Sequence, residues 1–256
     1  MPWKPEHPGE LPSLGWVLLD WWADYLPNPR DETKPLIFTD EQAQILLRWY
    51  TIDPKTGGYV YRRGCSRRSK GWGKSPVEAA KCIAEFVGPV RFDGWDADGK
   101  PVGRPWGYSG DPAPWVQVAA VSEDQTDNTY SVINYFLSAN NGRAADELRI
   151  DHGITRCYHR DIRNAKLEPV TAQAGSREGQ PVTYGQCDET HLWTTRNGGV
   201  KLAATIRRNA AKMNGRSYET TNSFIPGEGS VAEKTHKAAS RGHEGIFYDA
   251  VEAPPV

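Results

Sequence analysis

The chain has 256 residues, 38% of them hydrophobic and 25% charged, enough for one large α/β domain with a real core, or for a domain with appendages. Its formal net charge of -1 excludes polyanion binding by global attraction, so any such affinity has to come from local clusters of Lys and Arg. Cys65, Cys82, Cys157 and Cys187 are widely spaced without a CxxC pair, which argues against a zinc ribbon or a disulfide framework and reads as reduced thiols. The N-terminal Met1-Pro2-Trp3-Lys4-Pro5-Glu6 has no basic start leading into an apolar run, and no stretch approaches the roughly 20 apolar residues of a membrane span. A soluble, intracellular protein is expected.

In chain order, residues 1–35 are rich in Pro and Trp around one apolar run, Trp16 to Trp22, which reads as a helix packed onto something larger, an N-terminal helical appendage. Thr39-Asp40-Glu41-Gln42 has the form of a capping box and predicts a helix carrying Ile45, Leu46, Trp49 and Tyr50. A strand is expected over Tyr59 to Gly64, then a loop rich in Arg, Lys, Gly and Ser. The helix that follows has Pro76 in its first turn and Val77, Ala80, Ile83, Ala84 and Val87 on one face. Residues 88–114, dense in Gly and Pro, read as a long surface loop of the kind that carries function. Further strands are expected at Trp115–Val121, Pro181–Cys187 and Ser217–Thr221, with helices at Asp127–Leu137 and Leu202–Met213. Strands alternating with helices predict an α/β fold with a mainly parallel central sheet flanked by helices.

Ser69-Lys70-Gly71-Trp72-Gly73-Lys74-Ser75 ends in Gly-Lys-Ser between a predicted strand and helix, the context of a phosphate-binding loop. Gly71 and Gly73 let backbone N–H groups turn inward, Lys74 reaches the outer phosphates, and the Ser75 hydroxyl is placed to ligate Mg²⁺. The full G-x-x-x-x-G-K-[ST] pattern asks for glycine at 68, where this chain has Arg68, so the match is deviant. Val182 to Cys187 reads as a buried strand delivering Asp188 and Glu189 at its C-terminal end, where ligands of parallel sheets bind. Asp188 is assigned to the Mg²⁺ shell and Glu189 to taking the proton of the water that attacks the γ-phosphate of ATP. A solvated turn also produces a neighbouring acid pair; the joint presence of the two motifs carries the reading.

With these residues in view, the chain resembles the N-terminal ATPase domain of phage terminase large subunits, in the form found in phages of actinobacteria. The resemblance covers most of residues 30–250 and rests on ordered segments: Phe38-Thr39-Asp40-Glu41-Gln42, similar to an adenine-contacting glutamine motif; the deviant loop, with Lys70 where most relatives have Arg; Val118 to Gln125; Glu178-Gly179-Gln180 leading into Asp188-Glu189-Thr190-His191; and Ser217 to Asn222 followed by Pro226 to Ser230. It implies a P-loop NTPase of the ASCE type over residues 36–240, with ATP and Mg²⁺ as cofactors. Thr220, Thr221 and Asn222 become a coupling motif that senses the γ-phosphate. Gln42 is assigned to adenine, although it also occupies the cap of its own helix. Lys70 is the positive group for the transferred phosphoryl within the subunit. Arg177 resembles the arginine that a neighbouring subunit supplies, or is a solvated loop residue.

The implied function is that of a motor that hydrolyses ATP to drive double-stranded DNA into a procapsid, in the host cytoplasm. Its implied partners are DNA, the portal of the procapsid and the small terminase subunit, with a homo-oligomeric ring on assembly and a monomer in isolation. DNA contacts are expected to fall on phosphates, through Arg207, Arg208, Lys212 and Arg216 or through Lys234, His236, Lys237, Arg241 and His243. Too few residues follow the coupling motif for a nuclease domain, so 241–256 is expected to be a linker and DNA cleavage is not expected. Rival readings are a helicase-like translocating ATPase and a nucleotide-binding module without turnover.

Overall fold

A computed structural model of the chain describes residues 3–172 and 178–251, without the side chains of residues 123–125 and 127. The chain opens with α1 (Gly15–Tyr25), a two-stranded hairpin of β1 (Pro27–Asn28) and β2 (Asp31–Pro35), and α2 (Asp40–Trp49). α2 begins where its start signal predicts. The Thr39 hydroxyl accepts from Gln42 N, and the Gln42 side chain accepts from Thr39 N, so two otherwise orphaned donors of the first turn are satisfied reciprocally. Thr39→Ala is expected to cost about 1 kcal/mol of stability in chemical denaturation.

Next come β3 (Arg63–Arg67), α3 (Lys74–Val87), a second hairpin of β4 (Arg91–Trp95) and β5 (Pro101–Arg104), and β6 (Trp115–Ala120). β3 starts later than the aromatic run Tyr59-Val60-Tyr61 suggests. Tyr59 pairs with Ile52 only as an isolated bridge and donates its hydroxyl to Val90 O. The strand itself is polar yet buried from Gly64 to Arg67, and Arg63 at its start pairs with the fully buried Glu219 at 2.9 Å. Residues 88–114, read as one long loop, contain the β4–β5 hairpin, whose Arg91 and Arg104 both bond Asp111.

α4 (Glu123–Glu147) is two helical pieces. Its interior breaks where Ala139 turns to extended backbone and Asn140, Asn141 and Gly142 take positive φ, a conformation that Asn and Gly tolerate best. The chain continues through β7 (Ile150–His152), β8 (Cys157–His159), β9 (Lys166–Thr171) and β10 (Tyr184–Cys187) to α5 (Gly199–Lys212), β11 (Arg216–Thr221), α6 (Val231–Ser240) and β12 (Ile246–Ala250).

The central sheet has eight strands in the order β12-β3-β11-β10-β6-β9-β8-β7. From β12 to β9 every pairing is parallel, and β8 and β7 add an antiparallel edge. β11 is inserted between the strand that precedes the phosphate loop and the strand that carries the acidic pair, the order expected of the ASCE class. Alternate side chains of the strands face opposite layers. Val116, Val118, Tyr184 and Tyr218 join the large core with α1 to α4, whereas Ala119 and Cys187 join Trp193, Leu202, Ile206 and Val231 of the other layer. The N-terminal helix is tied into the larger core, since Leu18 and Trp22 are buried in it and the Trp22 indole donates to Ala80 O of α3 at 2.8 Å. The segment 241–256, read as a linker, supplies β12, which pairs along the whole of β3.

Candidate active site

Because β3, β11, β10 and β6 are parallel, their C-terminal ends share one edge of the sheet. The phosphate loop, Thr220 to Asn222 and the Asp188-Glu189 pair all lie there. Gly71 and Gly73 have φ of 88° and 94°, left-handed values that turn the loop into the first turn of α3. Gly73 caps α3 without a side-chain bond, so the first N–H groups of that helix, Lys74 and Ser75 among them, have no intrahelical acceptor and face the site.

Arg68, where the consensus loop has glycine, proves structural. Only 5% exposed, it donates to Glu41 at 2.8 Å, pairs with Asp249 of β12 and lies over the Trp72 ring. Glu41 also accepts from the Trp72 indole at 2.8 Å, and the two bonds hold its carboxyl below the usual range, the Trp72 contribution outweighing partial burial. This network anchors the loop to α2 and β12 from outside, which leaves the loop backbone free for a ligand.

The three donors of Lys74 Nζ go to Arg68 O at 3.1 Å, Ser69 O at 2.9 Å and Asn222 Oδ1 at 2.8 Å. The lysine thus already links the phosphate loop to the coupling motif. Burial lowers its pKa, and Glu78, Asp188 and Glu189 pull it back up, so it senses both carboxylates of the acidic pair. Gln42 uses both ends of its amide: Oε1 serves the cap and Nε2 donates to Trp72 O at 3.2 Å. Here it braces the loop, and contact with a base would require it to release one of these bonds.

Asp188 is 4% exposed, accepts from Thr220 at 3.3 Å on Oδ1, and lies 3.4 Å from Thr129 on Oδ2. Burial, reinforced by Glu78 and then Glu189, pushes its carboxyl up to about 8. An acid raised from its ordinary 3.8 binds more protons folded than unfolded. Stability contributed by its neutral form is complete below about 4 and is lost as pH rises toward about 8. In EDTA, wild type is therefore expected to lose stability across that window relative to Asp188→Asn, read from denaturation midpoints. Equal slopes for the two proteins would contradict the assignment.

Glu189, half-buried, has φ of 51°, a left-handed value that is uncommon for a residue with a Cβ and that recurs at functional sites. The backbone is pinned on both sides, by Asp188 N to Ala119 O and by Leu192 N to Glu189 O, both 2.9 Å. Thr220 also reaches Cys187 O, and Thr221 accepts from His191 N at 3.0 Å, so the end of β11 is stitched to the acidic turn.

The structure therefore brings together Gly71, Trp72, Gly73, Lys74, Ser75, Asp188, Glu189, Thr220, Thr221 and Asn222. Ser69 joins through its carbonyl on Lys74. Lys70 is exposed and makes no hydrogen bond or ion pair among the described residues. Arg177 lies outside the described residues. Of the basic groups, Arg216 is buried on Glu85 at 2.6 Å and stacked on Trp49, Tyr50 and Tyr59, which removes it as a DNA contact. Arg207 is committed to Glu219 and Arg208 to Glu178, so the first group does not form one free surface. Sequence reasoning missed Arg68, Thr129 and Glu78. Glu78 lies four residues after Lys74 on α3, a spacing that puts both on one helix face, and that was the available signal.

As to cofactors, the Ser75 hydroxyl at the start of α3 and the Asp188 carboxylate at the end of β10 are the oxygen donors at this sheet edge that fit a hard cation, with Glu189 beside them. This hard-oxygen set is what Mg²⁺ uses when phosphate oxygens and water complete its shell. Among the described residues, no helix is long and apolar enough to cross a membrane.

The fold is that of a mainly parallel α/β domain of the kind seen in a phage large terminase. The fold matches the HK97 bacteriophage large terminase with a TM-score of 0.70 at 13% identity, over 94% of this chain and 44% of that one. In sequence, the chain is related to the Gene 13 proteins of two mycobacteriophages: it is 35% identical to that of Mycobacterium phage L5 over 98% of its length, and 34% identical to that of Mycobacterium phage D29 over 94%. It spans about half the length of these relatives, 47% and 44% respectively. No protein-family model matches the chain.

Proposed function

We propose that this chain is the ATPase motor part of a viral DNA-packaging terminase, hydrolysing ATP to drive double-stranded DNA into a procapsid. The observation that carries this reading is the bond from Lys74 Nζ to Asn222 Oδ1, at a sheet edge where Thr220 in turn holds Asp188. Two stretches far apart in the chain meet there around one lysine and one buried carboxylate. The likeness to a large terminase supplies the context.

In this reading the open N–H groups of α3 and the loop bind the phosphates, and Lys74 exchanges a carbonyl or Asn222 for a phosphate oxygen. Ser75 and Asp188 would hold Mg²⁺, which would neutralise charge on the phosphate oxygens. Glu189 accepts the proton of the attacking water. Gln42 turns from Trp72 to the base. Asn222, released by Lys74, passes the change to β11. Lys70, exposed beside the loop, and Arg177, supplied by a neighbour in a ring, stabilise the developing charge. DNA is gripped through phosphates, and the portal and small subunit are the partners in the host cytoplasm. Lys234, Arg241 and His243 are exposed on and after α6 and open to a phosphate contact, whereas the exposed Lys237 is paired with Glu233 at 2.7 Å and His236 with the Tyr248 hydroxyl.

The test is ATP turnover by the protein with and without procapsid and double-stranded DNA, alongside a strand-separation assay. Turnover stimulated by procapsid and DNA, without strand separation, is expected. Strand separation would point to a helicase-like translocase instead, and binding of ATP without turnover under every condition would make the chain a nucleotide-binding module.

A further inference from the structure

α3 buries three charged residues on the side turned away from its apolar face, among them Glu78, which is fully buried. One oxygen of Glu78, Oε2, accepts a short bond from the Thr129 hydroxyl of α4 at 2.7 Å; the other, Oε1, is buried without a well-formed hydrogen bond among the described residues, with only the nearby Thr220 hydroxyl and Lys81 charge to offset its burial. A buried carboxylate so poorly satisfied is costly to keep and calls for an explanation. The same Thr129 oxygen lies 3.4 Å from Asp188 Oδ2, while Thr220 takes Asp188 Oδ1 at 3.3 Å. A hydroxyl has one hydrogen, and here two carboxyl groups compete for it. Thr129 is fully buried, and its short bond to Glu78 holds its hydroxyl between the two carboxyl groups.

We propose that Thr129, seated on the buried Glu78 carboxylate, is a positioning residue for Asp188. Together with Thr220 it fixes the orientation in which Asp188 meets Mg²⁺. The proposal rests on the assignment of Asp188 to the metal and deepens it. Thr129 lies near neither the phosphate loop nor the acidic pair in the chain; α4 brings it to Glu78 and Asp188 by packing along α3. Outer partners of this kind orient a ligand without touching the ion, and their loss typically costs about 10-fold to 100-fold in metal affinity.

The test is the Mg²⁺ concentration that half-saturates binding of a fluorescent ATP analogue. It is measured for wild type, Thr129→Val, Thr129→Ser and Asp188→Asn, with melting temperatures as the check on folding. Thr129→Val keeps shape and loses the hydroxyl, and is expected to raise the Mg²⁺ requirement about tenfold. Binding of the analogue in EDTA should stay unchanged, and Thr129→Ser should restore the wild-type requirement. Should Thr129→Val fail to fold, Thr129→Ala, which suits a helix interior, carries the same expectation. A shift in Asp188→Asn with none in Thr129→Val overturns the proposal alone. Equal shifts in Thr129→Val and Thr129→Ser also overturn it, because the methyl packing would then be responsible. No shift in Asp188→Asn overturns the metal assignment and the proposal with it.

Discussion

Lys74→Ala is expected to reduce ATP turnover by about 10³-fold, with weakened nucleotide affinity and a melting temperature close to wild type. Positioned cations at a transferring phosphoryl group act in a partly desolvated site, where removing a single donor to developing charge costs about 10² to 10³ in kcat. Lys74 is half-buried and holds three oxygens, two of them loop carbonyls, so its charge is preorganised at the mouth of α3. Alanine removes that charge and also the bridge to Asn222, so binding and coupling suffer together. The fold should persist, since the loop is anchored independently through Arg68 to Glu41 and Asp249. Turnover and equilibrium binding of a nucleotide analogue check this. Unchanged turnover in a folded variant would remove Lys74 from the mechanism.

Glu189→Gln should separate chemistry from binding. The amide keeps the size of the side chain and cannot accept the proton, so a loss of about 10² to 10⁴ in kcat is expected, the usual contribution of a general base. Nucleotide affinity should stay near wild type, because the proposed phosphate contacts are on the loop and α3. The left-handed backbone at Glu189 is fixed by its two flanking backbone bonds, independently of the carboxylate, so the turn survives the change. A loss of affinity with kcat intact would reassign Glu189 to binding.

Much of this site was legible because its parts are local patterns. The capping box at Thr39 and Gln42, the Gly-Lys-Ser loop before an amphipathic helix, and the acidic pair closing a short buried strand each need only a few neighbouring residues. β7, β8 and β9 escaped for a physical reason. β7 and β8 are short edge strands, and β9 contains Pro169, which ordinarily argues against a central strand. Pro169 is accommodated because the recorded pairing of β8 ends at Leu167, so the missing N–H falls where that neighbour asks for no bond.

α3 misled in a different way. Val77, Ala80 and Ile83 predict one buried face, yet Glu78, Lys81 and Glu85 are buried as well. They are held by Thr129, by the Tyr218 ring and by Arg216, all distant in the chain. Arg68 is another such case: a deviation from the loop consensus is visible in the sequence, but Asp249, its partner on β12, is not identifiable without the strand order. The basic group Arg207, Arg208, Lys212 and Arg216 reads in the sequence as a surface for phosphates. Pairing with Glu219 and Glu85 draws Arg207 and Arg216 into the framework of the sheet, while Arg208 stays exposed on Glu178.

The central claim is that the phosphate loop and the acidic strand serve one Mg²⁺–nucleotide complex. The most direct measurement is a crystal structure of the chain with Mg²⁺ and a non-hydrolysable ATP analogue. The account predicts Lys74 Nζ on a γ-phosphate oxygen, Mg²⁺ at the Ser75 hydroxyl with the Asp188 carboxylate turned toward its shell, and Glu189 beyond them. A nucleotide seated elsewhere, for example in the cavity of about 400 Å³ lined by Arg62, Arg63 and Arg207 at the opposite end of β3, with Lys74 still on Asn222, would contradict it.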